Sequence, residues 1–167
     1  MSDTSAKLLN QYINAERIKE IDQWIAKYPP EEKQSAVMSA LMIVQEEHGY
    51  LTEELMNAVA EYLDMPAIAV YEVATFYSMY EHKPVGRHII HVCTNISCKL
   101  RDSKGIVNHI QDKLNIKTND TTQDGRFTLR EVECLGACVN APMMQVDKEY
   151  HEKLTPEKVD AVLEQYE

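Results

Sequence analysis

Four cysteines carry the chemistry that this sequence can do: Cys93, Cys98, Cys134 and Cys138. The first two are separated by four residues, Thr94 to Ser97, and the second two by three, Leu135 to Ala137. The first 92 residues contain none. Four readings of such a set compete. Structural zinc tolerates ligand spacings of two to four residues, but neither pair is the usual Cys-x-x-Cys knuckle, and the second half of the chain is long enough to fold without a metal. A dithiol redox centre calls for Cys-x-x-Cys at a helix start, which is absent. Structural disulfides suit an exported chain, and Met1 to Glu20 holds no signal-peptide core, so export is not expected. A two-iron cluster needs four thiolates in two pairs, and this chain supplies that arrangement. Spacing alone leaves iron–sulfur and zinc both open.

Other groups offer less. Six histidines are present, and His88 and His91 lie near Cys93, but four cysteines already complete a site. His48, His82, His88, His91, His109 and His151 are therefore read as surface or packing residues. The five glycines, Gly49, Gly86, Gly105, Gly125 and Gly136, lie too far apart for a phosphate-cradling loop or a dinucleotide fingerprint. No Gly-x-Ser-x-Gly nucleophile motif exists. An electron-transfer site with no substrate pocket of its own implies a partner that has one. The net charge of −10 excludes nucleic acid as the main partner, because phosphates demand a basic patch. The longest apolar runs, such as Ala40 to Val44, fall far short of the ~20 residues needed to span a bilayer, so no direct membrane insertion is expected.

The elements that must position these cysteines divide the chain near Pro84, into residues 1–83 and 84–167. The first part reads as a helical bundle. Asn14 caps a helix with Ile18, Ile21, Trp24, Ile25 and Tyr28 on one face. Pro29-Pro30 ends it and opens the next, which buries Val37, Leu41 and Val44 and stops at Gly49. Thr52 starts a third helix with Leu55, Val59 and Leu63 inward, and Pro66 a fourth through Val70 and Val73. Phe76, Tyr77 and Tyr80 form an aromatic stretch suited to packing on a partner. The second part alternates: a strand at Arg87 to Val92, a helix at Gly105 to Leu114, a tight turn at Asp124-Gly125, strands at Phe127 to Val132 and Met143 to Val146, and a helix capped by Thr155. Each cysteine pair follows directly on a strand, so two adjacent strands would deliver both loops to one end of a sheet. The fold class is α+β.

Several stretches together resemble a known family: Ala74-Thr75-Phe76-Tyr77-Ser78, Pro84-Val85-Gly86-Arg87-His88, Cys93-x4-Cys98, Asp124 to Leu129, and Glu133-Cys134-Leu135-Gly136-Ala137-Cys138 followed by Ala141-Pro142-Met143-Met144. Through them the chain resembles the family of E-type subunits of NADH:quinone oxidoreductase, respiratory complex I. The resemblance implies a helical bundle followed by a thioredoxin-like α/β domain that carries one 2Fe-2S cluster, with Cys93, Cys98, Cys134 and Cys138 as the iron ligands. It implies an oxidoreductase component with no complete active site of its own. The partners would be the FMN-containing, NADH-binding component (the F-type subunit) and other peripheral-arm subunits, with FMN and NADH reached only through the partner. In a bacterium the assembly would lie on the cytoplasmic side of the inner membrane. NADH delivers two electrons together whereas clusters take one each, so a one-electron acceptor beside the flavin has a physical role. Backbone hydrogen bonds to sulfur are expected near Asn95, Ser97 and Gly136, while Lys99 and Arg101 either stabilise added negative charge or are simply solvated. Thioredoxin-like folds often place a cis-proline before such a strand, which makes Ala141–Pro142 the candidate. Three alternatives to the main reading stand beside it: the equivalent subunit of an NAD-linked hydrogenase or formate dehydrogenase, a four-cysteine zinc interaction module, and a free-standing ferredoxin, which would leave the helical first half unused.

Overall fold

A computed structural model describes residues 8–166 and divides the chain into two compact units, Met1–Pro84 and Val85–Glu167. In the first unit α1 spans Ala15–Ile25, and the Asn14 side chain accepts from the N–H groups of Glu16 and Arg17, both at 3.0 Å. A 3-10 stretch follows over Pro30–Ala36, broken at Glu32. The α-helix expected from Pro30 therefore starts only at Val37. Proline fits a first turn, but the residues behind it here close in the tighter 3-10 form. Three further helices are α2 (Val37–His48), α3 (Glu53–Leu63) and α4 (Ala67–Phe76). Gly49 ends α2 at φ 81°, a conformation nearly free for glycine. The side chain of Thr52 caps α3 by accepting from Leu55.

Ile21, Leu41, Val44, Leu55, Val59, Leu63 and Val70 meet in the core of this unit. Tyr28, read from sequence as part of the α1 stripe, is exposed instead, since the chain has turned toward Pro29 by that point. The aromatic stretch splits. Tyr80 is buried with its hydroxyl donating to Met38 O at 2.9 Å, while Phe76 and Tyr77 face solvent.

The second unit is built on β1 (His88–Cys93), α5 (Ile96–Lys99), α6 (Ser103–Leu114), β2 (Phe127–Val132), β3 (Met144–Val146), β4 (Glu149–His151) and α7 (Pro156–Leu163). Its sheet has the order β2-β1-β3-β4, with β1 and β2 parallel and the other neighbours antiparallel. Alternate residues of the strands, Ile90, Val92, Phe127, Leu129, Met144 and Val146, point to one face. Ile106, Val107 and Ile110 of α6 and Val159, Val162 and Leu163 of α7 cover that face. The sequence reading missed two elements, α5 inside the first cysteine loop and β4. Asp124-Gly125 forms the expected turn, with Gly125 at φ 66°. The Ala141–Pro142 bond is cis. Among the described residues no helix is long and apolar enough to cross a membrane.

Candidate metal centre

Parallel pairing brings the cysteines to one edge. Cys93 is the last residue of β1 and lies opposite Val132, the last of β2, so both strands release their cysteine loops at their carboxyl ends. Thr94 N donates to Val132 O at 2.9 Å, which carries the pairing one residue past the strand. Cys93 and Cys98 are buried, and with Ala141 and Met143 they form a small cluster of their own, flanked by Leu135 and Ala137. Cys134 and Cys138 are exposed. None of the four forms a disulfide.

The first loop returns Cys98 to Cys93 by a single turn of helix. Asn95 caps α5, its side chain accepting from Ile96 N at 2.6 Å, and Lys99 N donates to Asn95 O at 2.8 Å. That turn buries Cys98 against Cys93, whose thiol hydrogen-bonds with it. Burial pushes the Cys98 thiol up to about 11, and Cys93 pushes in the same direction, while a backbone hydrogen bond from Met143 favours its thiolate. Cys138 acts on Cys98 electrostatically, so the second loop reaches the first.

The second loop is irregular. Gly136 adopts φ 78°, a left-handed conformation that disfavours a side chain, and its N–H donates to Cys134 Sγ at 3.4 Å. A 3-10 turn, Cys138–Asn140, then leads to Pro142. Cys93 Sγ donates to Glu133 O at 3.6 Å, linking the two loops directly.

The four expected cysteines thus lie at one end of the sheet. Among the described residues no three His, Cys, Asp or Glu side chains are gathered closely enough to hold a single ion. Donors in two pairs, one buried and one facing solvent, suit a group whose two irons each take two thiolates. Gly136 supplies one of the expected N–H···S bonds and Met143, unforeseen from sequence, another; Asn95 instead spends its side chain on the cap of α5. The histidines serve elsewhere: His88 on Asp147, His109 on Asp160, His48 on Tyr12 O, His82 on Ala74 O and His151 on Tyr166. Lys99 and Arg101 are exposed.

Comparison with known proteins agrees with this geometry. Residues 21–167 match the family described as thioredoxin-like 2Fe-2S ferredoxin. The E-type subunit of NADH-quinone oxidoreductase from Rickettsia bellii is 43% identical over 161 residues, covering 96% of each chain. One of the NADH-quinone oxidoreductase E subunits of Rhizobium meliloti is 44% identical over 148 residues, covering 89% of this chain and 87% of that one. Among solved structures, an NAD+-reducing NiFe hydrogenase in its H2-reduced state matches with a TM-score of 0.65 at 19% identity. That match covers 75% of this chain but only 21% of the hydrogenase chain, and it speaks for the fold alone. The chain belongs to the thioredoxin-like 2Fe-2S ferredoxin family and, within it, to the E subunits of NADH-quinone oxidoreductase.

Proposed function

We propose that this chain is the electron-transfer subunit of the NADH-oxidising module of NADH:quinone oxidoreductase. In this reading it carries one 2Fe-2S cluster on Cys93, Cys98, Cys134 and Cys138. The observation that carries the reading is the delivery of two thiol pairs to one sheet edge by adjacent parallel strands. When bound, the cluster supplies one-electron exchange; FMN and NADH belong to the partner subunit.

This chain's own residues do three things. β1, β2 and α5 fix the buried pair, so Cys93 and Cys98 are held in an apolar setting beside Ala141 and Met143. Gly136 N and Met143 aim hydrogen bonds at sulfur, which stabilise negative charge there. The solvent-facing pair leaves one edge accessible to a partner. Ile96, Leu100 and Val139, adjoining the cysteines in sequence, are apolar and exposed, Val139 at 96%. Apolar side chains beside exposed ligands suit a surface that another protein covers.

The partner in this reading is the F-type, FMN-containing subunit, together with other peripheral-arm subunits. The helical unit serves to dock the chain there, with Phe76 and Tyr77 exposed on it. Residues 1–84 hold 14 acidic against 6 basic side chains, and residues 85–167 hold 13 against 11, so the acid excess belongs mainly to the helical part. In a bacterium the assembly lies on the cytoplasmic side of the inner membrane.

Anaerobic purification with native partners, followed by iron, sulfide and zinc analysis and EPR, tests the reading. Two irons and two sulfides per chain, a 2Fe-2S signal after dithionite and recovery with a flavoprotein and quinone-module subunits are expected. Recovery with hydrogenase subunits and no quinone module would overturn the assembly. A colourless protein with stoichiometric zinc would overturn the cluster.

A further inference from the structure

We propose that Tyr150 is a positioning residue that aims a backbone N–H at the Cys134 sulfur, and that β4 and the residues after it act as a clamp on the second cysteine loop. The inference rests on the cluster reading above and names a support that reading does not require.

The two cysteine loops are held by different means. Residues 94–100 support themselves: Asn95 caps α5, and Lys99 N and Leu100 N close the turn on Asn95 O and Ile96 O. Residues 134–137 have no helix and a left-handed glycine, and both cysteines of this loop are exposed. Their neighbourhood is tied instead to a segment further along the chain. The Tyr150 hydroxyl donates to Leu135 O at 2.7 Å, and Asn140 Nδ2 donates to Glu152 Oε2 at 2.8 Å. Lys153 N donates to Asn140 O at 2.7 Å and Leu154 N to Pro142 O at 3.0 Å. Four hydrogen bonds therefore join residues 135–142 to residues 150–154.

The first of these bears directly on a ligand. Leu135 O and Gly136 N–H belong to one planar peptide unit, in which carbonyl and N–H point in opposite directions. Tyr150 holds the carbonyl end of that unit, and Cys134 Sγ receives the N–H end at 3.4 Å. Glycine at φ 78° offers little resistance to rotation of this peptide, so an external hold is what fixes its direction. β4 itself is a three-residue edge strand that adds no side chain to the central core. Its reach to the loop is its contribution.

The test uses the full chain with its cluster. Tyr150→Phe removes the hydroxyl and keeps the ring. The expected result is a lower reduction potential in an EPR-monitored titration, because reduced sulfur loses a preoriented donor, and release of iron to a chelator about fivefold faster, the worth of one hydrogen bond. The urea midpoint should stay at the wild-type value, since Tyr150 is half exposed. Glu152→Ala should likewise speed iron release, whereas Glu152→Gln, which keeps an acceptor oxygen, should behave as wild type. If Tyr150→Phe unfolds early, the Glu152 pair decides: equal release rates for Ala and Gln overturn the clamp. An unchanged potential and unchanged release in a folded Tyr150→Phe protein overturn it too, with the cluster reading intact. A wild-type chain that shows no 2Fe-2S signal overturns both.

Discussion

Replacing one exposed cysteine of the proposed ligand set separates assembly from folding. Cys134 is solvent-facing and packs no core, so Cys134→Ala should abolish the 2Fe-2S EPR signal, while its unfolding free energy should match that of wild type stripped of iron to within about 0.5 kcal/mol. Survival of the signal would mean that another residue ligates iron. His151 responds to pH. Burial holds its imidazole below the ordinary value of 6.5, Glu149 opposes this, and Lys158 adds to it. The unfolded chain therefore takes up that proton first. The stabilisation is present above about pH 6.5 and is lost as pH falls through that value toward the lower folded one. Comparing urea midpoints near neutrality and near about pH 5.5 should show a smaller acid loss for His151→Gln than for wild type. At this scale the sequence was most readable. Cysteine spacing after two β-type runs marked the four thiols, because a strand end fixes where the next residues emerge. Tyr150 was not readable: its role depends on which carbonyl a half-exposed hydroxyl meets 15 residues away, and no local pattern encodes that.

Helix ends, strand alternation and the Asp124-Gly125 turn followed from local chemistry, and so did the inward residues of α6 and α7. β4 did not, for a physical reason. Glu149-Tyr150-His151 is three residues long, polar, and lies at the sheet edge, so it has no apolar alternation to reveal it. α5 is one turn of helix, too short for periodicity, and its only mark is the Asn95 cap. What forms β4 is its turn. Asp147 sits at φ 52°, its Oδ1 accepts from Ile89 N at 3.0 Å, and its Oδ2 meets His88 Nδ1 at 2.7 Å. Asp147→Ala puts a side chain with no such bonds in the left-handed region, and should cost about 2 to 3 kcal/mol from strain and two lost hydrogen bonds. Chemical denaturation measures this. An effect under about 0.5 kcal/mol would show that the hairpin is held by its ladder alone.

Each unit has its own hydrophobic core, so the chain carries two folding problems. Removing residues 1–84 should leave the 2Fe-2S signal of the remainder in place and weaken association with the flavin-carrying partner by at least about tenfold, roughly 1.4 kcal/mol. Equal association constants by titration calorimetry would sink the docking role. The parallel pairing of β1 and β2 has one more consequence. In the proposed ligand set Cys98 and Cys134, 36 residues apart in sequence, share one inorganic core. A loaded cluster is then a staple that closes the whole α6–β2 segment into a ring. By chain-entropy reckoning, closing a loop of this length removes about 3 to 5 kcal/mol of freedom from the unfolded chain. Stripping the iron should accordingly lower the melting temperature by about 10 °C or more, and the second unit should refold more slowly from the ring-opened state. With these ligands the redox group is also a tether of the fold.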